Sequence, residues 1–509
     1  MAVNQLKAGA LLSYLSLGIS NVIGILYTPF LLRMLGQSEY GLYSLVISVV
    51  AYLSVLDFGF GNAIVRYTAK YRAENKLEEI YSLLGMFLVI YSLIGLIAFC
   101  AGSALYFNVE NLFGNTMTLN ELSRAKTLML LMIFNVGITF PLSMFGAVIT
   151  AYQNFIFQRL ANILRVILQP VIMIPILLIG YKSIALVTVI TILNIVFLLV
   201  NCWYCFYKLK IRLYFNAFKW DTLKELSNYS VWIFMAIIID RIYWSTGQFV
   251  LGAFVGTAAV AVFAIAIQLQ GYYTGFSNAL ASVFLPKLTT MVSQNTSDKE
   301  LSDLFIKIGR IQFVILGMIL SGFILFGQSF ILLWAGKDYK QSYLMALLLM
   351  IPLTVPLIQC IGMTILQAQA KLKFRSYTYL IIAILSLFLS IPLARQYGGI
   401  GCAVGTGLCL FLGNGIAMNI YYKKKIHLDI SRFWREIGKM AIPLIPLMLI
   451  TAFIESISFT DSLFQLLAKM GIYCLVYIFV VSRFSMNGYE RDLFGKPIQK
   501  IFKKIGLFF

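Results

Sequence analysis

The sequence predicts an all-α integral membrane protein of about fourteen transmembrane helices: two six-helix lobes related as a parallel pseudo-repeat, plus two C-terminal helices. Three observations carry that expectation. The 509 residues are 60% apolar and only 12% charged, against about 45–50% and 25% in a soluble domain. Apolar runs of the roughly 20 residues needed to cross a bilayer recur along the whole chain. The basic residues fall on alternate connections between those runs.

Taken in order, the spans are expected near residues 9–32, 41–65, 80–106, 127–150, 160–181, 183–206, 228–252, 258–285, 311–335, 342–368, 376–394, 400–422, 440–457 and 463–482. The first run is too long for the apolar core of a signal peptide, and no small-residue cleavage pattern ends it. With the N-terminus inside, the inner connections hold 31 of the 40 Lys and Arg residues and the outer ones eight, leaving Arg241 within a span. This bias predicts a multi-pass protein with both termini cytoplasmic. The formal charge of +20, including the Lys423–Lys425 run, then faces anionic headgroups and does not call for nucleic acid. The seven cysteines lie in or beside apolar runs, so no disulfide framework is implied. Cys202 and Cys205 have redox-motif spacing but lack the strand–helix setting of such a motif.

The two halves repeat weakly. At an offset of 216, GAVITAYQNFIFQRLANIL (146–164) lies over GMTILQAQAKLKFRSYTYL (362–380), matching Gly146/Gly362, Gln153/Gln369 and Arg159/Arg375. At an offset of 220, Gly36 lies over Gly256. A unit of six spans keeps matching helices in the same orientation, so the repeats are parallel. The expected organisation is an N-lobe over 1–206 and a basic cytoplasmic linker over 207–227. A C-lobe follows over 228–422, then a connection with the last two spans over 423–482 and a basic tail over 483–509. In transporters built this way the substrate lies between the lobes.

Asp57, Asp240 and Arg241 fall inside spans, each at a cost of about 2.5–3.5 kcal/mol at the bilayer centre. They are expected at similar depth, facing protein or a water-filled cavity. One reading is a site where Arg241 binds an anionic group while a carboxylate balances it or takes up a proton. The other is a structural ion pair between Asp57 and Arg241. FGFGN (58–62) beside Asp57 allows close helix approach or local unwinding. Pro29, Pro170, Pro175, Pro352, Pro356, Pro392, Pro443 and Pro446 predict kinks. Arg159 and Arg375 open spans 5 and 11 at the inner surface, as topology anchors or as a phosphate-recognising pair. No enzyme is predicted. The single histidine, His427, lies in a basic loop, and no phosphate-binding Gly-rich Lys motif or metal-ligand spacing occurs.

LGQSEYGLYSLVISVVAYLSVLDFGFGNAIVRYTAKY (35–71) carries a Gly-x-x-x-Tyr-Gly step into span 2 and a Gly-rich stretch ending in a basic loop, and AYQNFIFQRLANILRVILQP (151–170) forms the connection between spans 4 and 5. In these motifs and in its 6 + 6 + 2 spans the chain resembles the Wzx-type polysaccharide transporter family of the multidrug/oligosaccharidyl-lipid/polysaccharide (MOP) exporter superfamily. The resemblance implies a flippase of the bacterial cytoplasmic membrane that moves an undecaprenyl-diphosphate-linked oligosaccharide repeat unit to the outer leaflet for O-antigen, capsule or exopolysaccharide. It implies a headgroup cavity lined by Arg241, Asp240, Asp57 and Arg33, with Arg159, Arg165, Arg375 and Lys287 at the inner mouth. Its partners would be the lipid-linked oligosaccharide, membrane lipids, a polysaccharide polymerase and other glycan-assembly proteins. No cofactor is implied, beyond coupling to H+ or Na+. The cationic lining is sparser than in related flippases. Three alternatives stay open: a cation-coupled multidrug antiporter with Asp57 and Asp240 as ion sites, a lipid II flippase, and a membrane scaffold for glycan assembly without transport.

Overall fold

The computed structural model describes residues 5–215, 220–293, 296–369, 372–457 and 462–493, with side chains omitted at 6–11, 220–233, 279–290, 292–293, 368, 372 and 457. Among the described residues the chain is helical and has no strand. The helices are α1 (Gln5–Leu35), α2 (Gln37–Ala51), α3 (Phe60–Ala73), α4 (Leu77–Phe107), α5 (Val109–Phe113), α6 (Leu119–Ala151), α7 (Phe155–Leu178), α8 (Ser183–Tyr207), α9 (Trp220–Phe254) and α10 (Thr257–Ser293). They continue as α11 (Asp298–Trp334), α12 (Ser342–Ile358), α13 (Cys360–Ala368), α14 (Leu372–Leu410), α15 (Met418–Lys425), α16 (Ile430–Ala441), α17 (Leu444–Ile457) and α18 (Leu463–Val480).

Among the described residues twelve segments are long and apolar enough to cross a membrane. The expected spans 11 and 12 fall within one apolar segment, Lys373–Lys425, which is broken between them at Gly398 with φ 58 and ψ −138. The expected span 7 corresponds to α9. Large apolar side chains lie bare on the helix surfaces, including Leu26, Leu96, Ile192, Phe453, Leu475 and Phe479. Water would penalise such a surface at about 25 cal/mol per Å², whereas lipid does not.

Two spans are broken where a continuous helix was expected. Span 2 is α2 and α3 joined by a 3-10 turn, Leu53–Asp57. Span 10 stops at Gln359 (φ −100, ψ 18) and restarts at Cys360. Pro29, Pro170, Pro175, Pro352, Pro356 and Pro392 lie inside continuous helices. Only Pro443 marks a break, between α16 and α17. The repeat is visible in the turns: Gly36 (φ 80) precedes α2 and Gly256 (φ 126) precedes α10. Both glycines take a left-handed conformation that a Cβ would penalise.

The chain divides into two compact units, Met1–Ile267 with Tyr379–Thr406, and Gln268–Thr378 with Gly407–Phe509. The first is packed around Ile64, Leu84, Phe87, Tyr91, Phe145 and Val148, which join α3, α4, α6 and the end of α8. The second has a cluster of Val314, Phe326, Met440, Leu466, Tyr473 and Tyr477. Beside it Arg310, 7% exposed, bonds to Glu490 at 2.6 and 2.9 Å, to Glu436 at 2.8 Å and to the Ser485 carbonyl at 2.8 Å.

Candidate functional site: the broken second span and the facing arginine

The local sequence explains the break in span 2. After α2, Tyr52 keeps helical angles, the chain tightens through Leu53–Asp57, and then Phe58 (φ 51) and Gly59 (φ 75) turn left-handed. Gly59 adopts this conformation freely, whereas Phe58 does so at a cost of roughly 1–2 kcal/mol. Helix α3 therefore starts afresh at Phe60, with unsatisfied amides at its N-terminus. Gly59 offers no side chain to cap them.

Asp57 fills that role. Its carboxylate accepts the amides of Gly59 and Gly61, and Tyr91 Oη on α4 donates to Oδ1 at 2.7 Å. The N-terminal partial charge of α3 also favours an anion there. Three hydrogen bonds to its oxygens, each of order 0.5–1.5 kcal/mol net, offset an insertion cost of about 2.5–3.5 kcal/mol. Among the described residues no hydrogen bond or ion pair joins Asp57 to Arg241, so the expected structural pair is not formed. The backbone and Tyr91 satisfy Asp57 without a cation.

Helix α9 packs against this break within the same unit. Phe58 lies on Phe234 with ring centroids 4.8 Å apart, and the hydroxyls of Tyr52 and Thr246 are hydrogen-bonded. Arg241 lies two turns beyond Phe234 on the same helix face. It is half-buried, and its Nε is buried without a hydrogen-bond partner among the described residues. Its electrostatic neighbours are Asp240 and Tyr52. Asp240 is exposed and accepts a bond from Trp244, one turn on.

The other expected residues are more scattered. Arg33 is exposed in the last turn of α1. On α7, Arg159 is exposed and Arg165 half-buried. Arg375 is half-buried on α14, in the second unit. The side chain of Lys287 lies outside the described residues. Sequence reasoning missed Tyr52, Tyr91 and Thr246, whose hydroxyls serve the break. It also missed Glu39, which was assigned to a connection. Because α2 begins at Gln37, Glu39 is only 7% exposed, paired with Arg124 and hydrogen-bonded by Ser183.

Comparison with known proteins fits this architecture. Residues 6–292 match the family model described as polysaccharide biosynthesis protein. The chain belongs to that family. It is 21% identical over 406 residues to a Shigella flexneri protein named "Putative O-antigen transporter", covering 77% of this chain and 92% of that one. A protein of the same name from Shigella dysenteriae is 26% identical over 174 residues, 34% of this chain and 42% of that protein. Among solved structures, the lipid II flippase MurJ in an inward closed conformation aligns with TM-score 0.68 at 18% identity, covering 96% of this chain and 99% of its own. An inward-facing multidrug resistance MATE transporter of the MOP superfamily aligns with TM-score 0.60 at 14% identity, covering 81% and 99%. At these identities the solved structures show the shared fold, and the many apolar spans make the chain a multi-pass membrane protein.

Proposed function

We propose that this protein is a flippase for an undecaprenyl-diphosphate-linked oligosaccharide repeat unit. It carries the unit from the inner to the outer leaflet of a bacterial cytoplasmic membrane by alternating access between two six-span lobes, with both termini cytoplasmic. The glycan serves O-antigen, capsule or exopolysaccharide synthesis, and a polymerase receives it outside.

The observation that carries this reading is Arg241. A half-buried guanidinium inside an apolar span, with a buried N–H left unpaired, is costly unless something anionic uses it. A diphosphate is such a group, and a guanidinium binds it in a fork. The likeness to the named O-antigen transporters, over 92% of one of them, supports the same reading. Asp57 counts against a cation antiporter, because its oxygens already serve Tyr91 and the start of α3. An H+ or Na+ gradient remains a source of energy in this scheme, acting elsewhere than Asp57.

The test is translocation in vesicles. Purified protein is reconstituted with diphosphate-linked glycolipid, and an impermeant glycosidase scores its outward appearance, with cationic dye efflux measured in parallel. Glycolipid movement by wild type, lost in Arg241→Ala at equal protein level, is expected. Dye efflux without glycolipid movement would overturn the proposal.

A further inference from the structure

The starts of α2, α6, α8 and α10 meet on the face that the charge pattern assigns to the outside, and two carboxylates organise them. Glu39 of α2 is held by Arg124 of α6 and Ser183 of α8. All three elements belong to the first six spans, and the contact is an ion pair. Among the described residues, Glu121 of α6 has no cation among its bonded partners. It accepts the amide and hydroxyl of its own N-cap Thr118, each at 2.9 Å, Ser38 Oγ of α2 at 2.5 Å and Thr257 Oγ1 of α10 at 2.8 Å. Ser38 and Thr257 lie 3.3 Å apart.

The turn between α9 and α10 is thus fastened to the first six spans by hydroxyls. Thr257 reaches Glu121, and Thr116 Oγ1 donates to the Gly252 carbonyl at 2.6 Å. Below these bonds the backbones touch: a Cβ on Gly41 would stand 1.9 Å from the Thr257 carbonyl oxygen. At Gly41 the start of α10 meets α2 with no side chain between them, beside hydroxyl bonds that water can replace on separation.

We propose that Ser38, Glu121 and Thr257 form a reversible outer latch. The Glu39–Arg124–Ser183 contact stays intact while Thr257 leaves Glu121 and α10 parts from α2 at Gly41, opening the outer side. The difference between an ion pair on one side and hydroxyl bonds on the other decides which contact yields. The inference rests on the flippase reading given above.

The experiment uses the full-length protein in the vesicle assay. The double variant Ser38→Cys with Thr257→Cys is oxidised, and the cross-link is verified by mass spectrometry of the joined peptides. S38C and T257C alone control for the seven native cysteines. The expected result is loss of glycolipid movement on cross-linking, because a locked gate blocks the conformational step, reversed by reduction and absent in the single variants. Unchanged movement in fully cross-linked protein overturns the latch. Absence of movement in wild type would instead remove the flippase reading, so the two failures are distinguishable. A second arm holds even where the double variant is inactive. Adding Glu121→Ala to T257C should speed labelling of the introduced thiol by an impermeant maleimide supplied from outside. An unchanged labelling rate overturns the latch as well.

Discussion

Tyr91 Oη donates to Asp57 Oδ1 at 2.7 Å, from the span that follows the one Asp57 interrupts. The bond ties the helix break in span 2 to the packed core of the first unit, where the Tyr91 ring lies 6.4 Å from Phe87 and 6.5 Å from Phe140.

Tyr91→Phe keeps those ring contacts and removes one donor. The expected loss is about 0.5–1.5 kcal/mol, the net worth of a hydrogen bond, read as a lower melting temperature in detergent. Asp57→Asn retains an acceptor for the start of α3, while Asp57→Ala retains none and should cost about 0.5–2 kcal/mol more. If the Asn and Ala variants melt together, capping is not what Asp57 does.

Gly41 and Gly271 make a matched pair, both within helices. Alanine should help either by up to about 1 kcal/mol from propensity alone. A Cβ at Gly271 meets nothing within 4 Å, but at Gly41 it meets the Thr257 carbonyl. Gly271→Ala is expected to be neutral or stabilising, and Gly41→Ala destabilising. Equal thermal shifts would show that α2 and α10 are not in backbone contact.

Arg241 and Arg310 predict opposite phenotypes. Arg241→Ala gives up no bond at Nε, so protein level and melting temperature should hold while glycolipid movement falls. Arg241→Lys keeps the charge but loses the planar fork, and should recover only part of the rate. A drop in melting temperature equal to the drop in transport would return Arg241 to a structural role.

Arg310→Ala leaves Glu490, fully buried, without its cation. That should cost about 3–5 kcal/mol and deplete the protein before any effect on transport can be read. The exposed pair Arg432–Asp303, about half-exposed at each end, is the control. Its loss should cost no more than about 1 kcal/mol. Equal melting shifts for the two would contradict the burial of Arg310.

Hydropathy and the alternation of Lys and Arg located the spans, because bilayer thickness imposes a length on each. Gly36 and Gly256 could be matched by sequence because a left-handed turn restricts the residue that fits it. The break in span 2 was only half legible. FGFGN advertised freedom to unwind, but the donors that Asp57 uses come from two backbone amides and from Tyr91, 34 residues away, and no local pattern encodes that meeting. Glu39 was hidden for a simpler reason. A carboxylate near a span's end reads as solvated until the start of the helix is known, and α2 begins two residues before it.

The Arg310 contact also has a bearing on biosynthesis. Its carboxylate partners Glu436 and Glu490 lie 126 and 180 residues downstream, so at about 5–20 residues per second a nascent chain carries that arginine with neither for roughly 6–25 s. During that interval α11 has to wait at the membrane surface, its guanidinium solvated or borrowed by headgroup phosphates. Ribosomes halted by a premature stop before codon 436 would release a chain in which that wait never ends. Such products should be drawn to membrane quality-control proteases even when every preceding span has been inserted.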